Sequence, residues 1–202
     1  MENEIVIVSG LPRSGTSLMM QMLDQGGLAV VTDHVRSPDT DNPRGYYELE
    51  QVKRIKEDVS WLPATRRKAF KMVSQLLYEL PANESYRVIF MERDLDEMIL
   101  SQEKMLARLG KPAAPSSEIK RHFTAHLTKL RDWLAGQRNI KVMYVRYRDL
   151  VERPEAQAAE ISAFLNGRVD AGLMAKSVDP SLYRNRKTPS DDAGGAKVGG
   201  SH

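Results

Sequence analysis

Cysteine is missing altogether from the 202 residues, which excludes disulfides, thiolate nucleophiles and cysteine-based zinc sites. A chain without cysteine fits a reducing cytoplasm, and a cytoplasmic location is expected. Long hydrophobic runs are missing too. The first apolar run, residues 5–8, ends at a glycine-containing turn and is too short for a secretory signal core or a membrane span. No later segment approaches about eighteen apolar residues, so a soluble protein with no membrane partner is expected. Charge of one sign is also lacking: 30 Lys and Arg stand against 27 Asp and Glu, a net charge of +3. The two signs are interleaved, without the basic stripe of a nucleic-acid binder. A local basic pocket for an anion stays compatible with this balance. Metal ligands are sparse as well. His122 and His126 lie four apart, but no acidic or cysteine partner completes a motif such as His-Glu-x-x-His, so they read as surface or packing residues and no metal site is expected.

What is present is an ordinary globular balance, 41% hydrophobic and 28% charged, in a chain long enough to bury one core without disulfides. Residues 4–9 (EIVIVS) are continuous and β-branched and read as a buried strand. Residues 14–25 read as a helix with Leu18, Met19, Met22 and Leu23 on one face and Gly26-Gly27 as its stop. A short second strand is expected at 28–31, then a loop over 32–47 carrying Pro38, Pro43 and Gly45. Leu49, Val52, Ile55, Val59 and Leu62 repeat at helical spacing up to Pro63. Strands follow at 68–73 and 86–92, a helix over about 96–109, and a linker at 111–117. Ile119, Phe123, Leu127, Leu130 and Leu134 mark a long amphipathic helix. A strand at 140–147 and a helix at 154–165, with proline near its start, complete the pattern. Strands alternating with helices imply a parallel sheet covered on both faces. One domain over 1–186 is expected. Residues 187–202 read as a disordered tail, whose last residues, 199–202, resemble the remnant of an affinity tag.

The informative segment is Gly10-Leu11-Pro12-Arg13-Ser14-Gly15-Thr16-Ser17. It lies between a strand and a helix, where unpaired amides of the first turn and the helix dipole favour an anion. Glycines let the backbone curl so that these donors converge, and Ser14, Thr16 and Ser17 add hydroxyls. The glycine spacing matches half of the nucleotide-triphosphatase signature. The other half is replaced: Thr16-Ser17 stands where Lys and Ser or Thr are required, and the cation sits at Arg13. The expected fold is therefore an α/β, three-layer P-loop fold with a central, mainly parallel sheet of about five strands flanked by helices.

The run Leu11 to Ser17 resembles the 5′-phosphosulfate loop of the sulfotransferases, and the resemblance extends from about Ile5 to Arg186. Arg93, at the end of the strong strand, and Ser101, eight residues on, are similar to that family's site for the 3′-phosphate of the donor PAPS (3′-phosphoadenosine 5′-phosphosulfate). Tyr147-Arg148-Asp149-Leu150 before Pro154 resembles its late Tyr-Glu-Asp-Leu element, and residues 41–48 (DNPRGYYE) resemble a segment of bacterial members. The resemblance implies PAPS as donor, the bisphosphate PAP as product, and no required metal. It implies Arg13, Ser14, Gly15, Thr16, Ser17, Arg93 and Ser101 as donor contacts, with Arg184 and Arg186 of a late basic run on the same 3′-phosphate. A guanidinium offers a planar fork suited to phosphate oxygens, and the carboxyl end of a parallel strand is where open α/β sheets bind ligands.

Sulfuryl transfer needs in-line geometry and charge stabilisation more than covalent help. Arg13 is the expected stabiliser of charge on the sulfuryl group. Lys71, in Lys71-Met72-Val73, resembles the family's strand lysine. Val73 stands where the cytosolic phenol and hydroxysteroid enzymes carry a histidine base, and a hydrocarbon accepts no proton. Counting twenty residues from Arg13, by resemblance to the protein-tyrosine enzymes, reaches Asp33. Asp33 is the expected general base, with His34 and Glu48 as substitutes; the competing reading of Asp33 is an Asx turn. The acceptor is expected to be a small molecule presenting a hydroxyl or amine. Two other readings are a divergent P-loop kinase or nucleotide hydrolase, which lacks its lysine and magnesium ligand here, and a non-catalytic nucleotide-binding module.

Overall fold

The computed structural model describes residues 3–33, 35, 39, 45–179 and 181. Four strands, β1 (Ile5–Gly10), β2 (Ala69–Val73), β3 (Tyr86–Glu92) and β4 (Ile140–Arg146), form one sheet in the order β2-β1-β3-β4. Every pairing is parallel. The sheet is therefore one strand smaller than the five expected. The segment proposed as a second strand makes only a parallel bridge, Val30 to Ala69, through Ala69 N–H to Ala29 O at 2.8 Å and Val31 N–H to Ala69 O at 2.8 Å. Two hydrogen bonds are made before the chain turns away.

The continuous apolar character of β1 has a simple cause. Its side chains alternate across a sheet that is covered on both faces. Val6 and Val8 join a cluster with Met19, Met20, Met22, Leu23, Leu150, Ile161 and Met174, while Ile5 and Ile7 join Phe70, Phe90, Leu62, Leu77, Leu130 and Leu134. The first face is built by α1 (Thr16–Gln25), α5 (Tyr147–Glu152), α6 (Pro154–Phe164) and α7 (Ala171–Lys176). On the second face lie α2 (Glu50–Lys53), two 3-10 turns (Leu62–Thr65 and Ser74–Glu79) and α4 (Ser116–Ala135), and α3 (Leu95–Arg108) follows β3. The periodic run from Leu49 to Leu62 yields only the single turn α2 instead of the longer helix expected. Past Lys53 the amides of Arg54, Ile55 and Glu57 turn to the carbonyls three residues back, those of Gln51, Val52 and Arg54, so the α-helical ladder is not continued. Leu49, Val52, Ile55 and Leu62 are still buried, whereas Val59 is exposed.

Register carries the functional consequence. Gly10 pairs with Val73 and with Met91, and Glu92 pairs with Arg146. The residues just beyond these rungs (the loop after Gly10, Arg93, and Tyr147) therefore emerge together at the carboxyl edge. The chain leaves β1 for β2 on one side and reaches β3 on the other, so this edge is the switch point at which open α/β sheets bind ligands. Among the described residues no helix is long and apolar enough to cross a membrane.

The opposite edge is pinned by charge. Arg87 Nε donates to Glu4 Oε2 at 2.6 Å, both side chains under 10% exposed, and Lys141 Nζ lies 3.5 Å from Glu4 Oε1. Burial pushes the Glu4 carboxyl up, but the Arg87 hydrogen bond and charge, joined by Lys141, outweigh it and hold the pKa below its ordinary value of 4.5. Replacing Glu4 by Ala strands the buried Arg87 and should cost about 3–5 kcal/mol, read as a lower urea midpoint. Because the folded pKa is depressed, the carboxylate's contribution is complete above pH 4.5 and is lost as pH falls through the folded value. Glu4→Gln should remove that part of the acid-unfolding slope; an unchanged slope would show that the pair contributes nothing.

Candidate functional site

The loop from Gly10 to Thr16 curls because two of its residues take left-handed backbone angles. Arg13 has φ 69° and Gly15 φ 100°. Gly15 is required there for a second reason: a Cβ would stand 2.3 Å from Tyr147 Cδ2. At Gly10 an added Cβ would meet Ser14 Oγ at 2.5 Å and the Met91 carbonyl at 2.7 Å. The curl brings the N-terminal turn of α1 over the end of β1. Ser14 is 1% exposed, and its hydroxyl has no hydrogen-bond partner among the described residues. A buried hydroxyl without a partner beside a helix N-terminus suits an anion ligand.

Two side-chain clusters meet at this loop. In the first, Arg13 Nε donates to Ser101 Oγ at 3.1 Å, and Arg93 Nη1 donates to the Arg13 carbonyl at 3.4 Å. Arg93 Nε donates to Glu97 Oε2 at 3.0 Å, and the Arg93 guanidinium stacks 4.6 Å above the Tyr147 ring. Ser101 and Glu97 are buried. Asp94 caps α3 by accepting from the amides of Asp96 and Glu97, so the first turn of that helix, which carries Glu97, is held directly beside Arg93.

In the second cluster, Lys71 Nζ donates to Ser17 Oγ at 3.3 Å and to the Tyr46 carbonyl. Strand alternation puts Lys71 on the same face as Ala69, the face that α1 covers. Ser17 Oγ also donates to the Tyr46 carbonyl, at 3.3 Å, and the Tyr46 hydroxyl donates to Asp39 at 2.7 and 2.8 Å. Tyr46 is thus seated against the loop.

Seven of the expected positions, Arg13, Ser14, Gly15, Ser17, Lys71, Arg93 and Ser101, are joined by these contacts and burials, and Thr16 opens α1 among them. Asp33 and Glu48 lie together, the Asp33 amide donating to the Glu48 carbonyl at 3.1 Å. The Asp33 carboxylate accepts the Val35 amide at 3.0 Å and the Glu50 amide at 2.6 Å. Those amide bonds, the one from Val35 foremost, hold its pKa below the ordinary value. The first of them is the Asx-type bond that the sequence also allows. His34, Arg184 and Arg186, together with the basic run and the tail, lie outside the described residues.

His126 Nε2 lies 2.9 Å from the buried Ser74 Oγ, and burial lowers its pKa. His122 is exposed, 3.6 Å from Glu118. Sequence reasoning assigned no role to Glu97 or Tyr147. The signal for Glu97 was available: opposite charges at i and i+4.

A family model described as a sulfotransferase domain matches residues 3–190. No curated protein matches the sequence. Solved sulfotransferase structures share the fold. The sulfotransferase domain from the curacin biosynthetic pathway gives a TM-score of 0.56 at 16% identity over 90% of this chain and 89% of that one. The sulfotransferase domain from the olefin synthase of Synechococcus PCC 7002 gives 0.54 at 19% identity over 94% and 90%. A mouse sulfotransferase complexed with PAP gives 0.52 at 16% identity over 88% of this chain and 63% of its own.

Gly15→Ala tests the geometry of the loop. The left-handed angle alone costs about 1–2 kcal/mol for a residue with a Cβ, and the Tyr147 ring adds a clash. The variant should lose more than about 2 kcal/mol in denaturant unfolding, and Tyr147→Leu introduced into it should restore the part due to the clash. Strictly additive losses would show that Gly15 and Tyr147 are not in contact.

Proposed function

The chain belongs to the sulfotransferase domain family, and on that footing we propose that it takes the sulfuryl group it transfers from PAPS and delivers it to a hydroxyl or amine of a small-molecule acceptor. The observation that carries the choice of donor is the contact of Arg13 with both Ser101 and Arg93. PAPS differs from common nucleotides in bearing a phosphate on each side of its ribose, so its recognition requires two adjacent anion sites. The loop supplies one, in its amides, its hydroxyls and Arg13. Arg93 and Ser101, brought to the same edge from a distant part of the chain, supply the other.

The chemistry asked of the residues is modest. The acceptor oxygen or nitrogen forms a bond to sulfur while the bond from sulfur to the bridging oxygen breaks, and the electron pair stays on the 5′-phosphate of PAP. Arg13 and Lys71 offset the negative charge on the sulfuryl group and on the leaving oxygen, as fixed cations do in phosphoryl transfer. The acceptor's proton passes to Asp33. Its two amide bonds keep that carboxylate ionised at neutral pH and fix its orientation, and they also make it a weak base. In a loose transition state the acceptor atom gains little positive charge until late, so a weak base suffices.

Calorimetry tests the donor. PAP should bind without magnesium and much more tightly than ATP does; magnesium-dependent ATP binding with indifference to PAP would overturn the reading. Arg13→Ala should lower turnover by about 100- to 1,000-fold, the range found for removing one preorganised charge-stabilising donor. Asp33→Asn should lower it by about 100-fold or more while PAP affinity holds. Unchanged turnover in Asp33→Asn, with Glu48→Gln inactive, would move the proton to Glu48.

A further inference from the structure

Glu97 is out of place on simple electrostatics. Its carboxylate lies 3.0 Å from Arg93, with both side chains under 10% exposed, at the end of the sheet where an anion is to be bound. A negative charge there opposes a phosphate, and in a buried setting that repulsion is poorly screened. The ion pair is also not needed to start the helix, because Asp94 already caps it through the amides of Asp96 and Glu97.

The contacts of Arg93 explain the arrangement. The guanidinium is held on its edge by Glu97, on its face by Tyr147 at 4.6 Å, and at its end by the Arg13 carbonyl at 3.4 Å. Edge, face and end together fix both the plane and the position of the group. Arginine has several rotatable bonds, and ordering such a side chain on binding opposes the binding. A guanidinium already ordered avoids that loss, and it recognises phosphate through the angle of its planar fork.

We propose that Glu97 is a positioning residue that orients Arg93 for a nucleotide 3′-phosphate and so sets the preference for nucleotides bearing that phosphate over those lacking it. The inference rests on the PAPS reading, and it adds that orientation outweighs the repulsion the carboxylate introduces. The two effects differ in sign. If charge dominates, removing the carboxylate tightens PAP binding. If orientation dominates, it weakens PAP binding and leaves a nucleotide without the 3′-phosphate unaffected.

Calorimetry with PAP and with adenosine 5′-monophosphate on the wild type, Glu97→Gln and Glu97→Ala separates these outcomes. Glu97→Ala removes both acceptor and charge and should weaken PAP by roughly tenfold, the size of one hydrogen bond to a charged group. Its affinity for adenosine 5′-monophosphate should stay within about twofold, well below that hydrogen-bond effect. Glu97→Gln retains a carbonyl that accepts from Arg93 Nε and should recover most of the PAP affinity. A merely structural role would lower both nucleotides together and would give no rescue by the amide. Equal or tighter PAP binding in Glu97→Ala, or parallel losses on both nucleotides, would overturn the proposal. Should Glu97→Ala fail to fold, judged by circular dichroism, Glu97→Gln decides alone: a small loss confined to PAP supports the role, and no change on either nucleotide rejects it. A wild type that ignores PAP defeats the donor reading itself, whereas a wild type that binds PAP beside variants that match it defeats only this inference.

Discussion

The close approach of Gly15 to the ring of Tyr147 governs the rest of the site. Without a Cβ at residue 15, the turn after β1 can press against the start of α5, and the left-handed angles at Arg13 and Gly15 then fix where the loop points. The Arg13 side chain is directed at Ser101 on α3, while its carbonyl is directed at Arg93. The same Tyr147 ring lies under the Arg93 guanidinium. One aromatic side chain therefore sets the height of the loop after β1 and the plane of the Arg93 guanidinium. A shift of either would be felt by the other, because both rest on the same buried surface.

That arrangement depends in turn on the parallel sheet. Carboxyl ends of parallel strands all face one way, so the loop after β1, Arg93 after β3 and Tyr147 after β4 are brought to one edge by strand direction alone. Register does the finer work, since a slip of one residue would turn every side chain to the other face. The buried Glu4–Arg87 pair locks β1 to β3 at the far edge. Its residues touch nothing at the site, yet they hold the two strands whose opposite ends carry Arg13 and Arg93.

How much of this was legible in the sequence depended on what kind of interaction fixes each part. The strand at 86–92 and the helices of residues 116–135 and 154–164 were visible because burial repeats with a regular period there. The curled turn between β1 and α1 was visible because glycine spacing between a strand and a helix sets its backbone. The stretch from Leu49 to Leu62 misled, because apolar spacing reports which residues face inward and not whether the backbone between them stays helical; past Lys53 the amides turn to carbonyls three residues back. The bridge at Val30 was overcounted as a strand, since that segment meets β2 at one rung, Ala69, although β2 is five residues long. Tyr147 and Tyr46 were beyond sequence reasoning for another reason. What they do is set by residues more than 20 positions away, Gly15 and Arg93 for the one and Lys71 for the other.

Under the proposed function, the choice of cations follows from the charge that has to be moved. In PAPS the sulfuryl group carries one negative charge, where the terminal phosphoryl group of ATP carries about two. A single charge spread over three oxygens is matched by guanidinium and ammonium groups, each monovalent and fixed by the protein. Arg13 and Lys71 reach the loop from different supports, Arg13 bonded to Ser101 on α3 and Lys71 to Ser17 on α1. Moving the loop's cation from the lysine position to Arg13 is therefore not a loss of half a nucleotide-triphosphatase signature. Under the proposed function, it exchanges a flexible point charge for a planar one whose side chain meets Ser101 and whose carbonyl meets Arg93. Catalytic charge and donor recognition would then be properties of one residue, which Arg93 reaches from 80 residues along the chain.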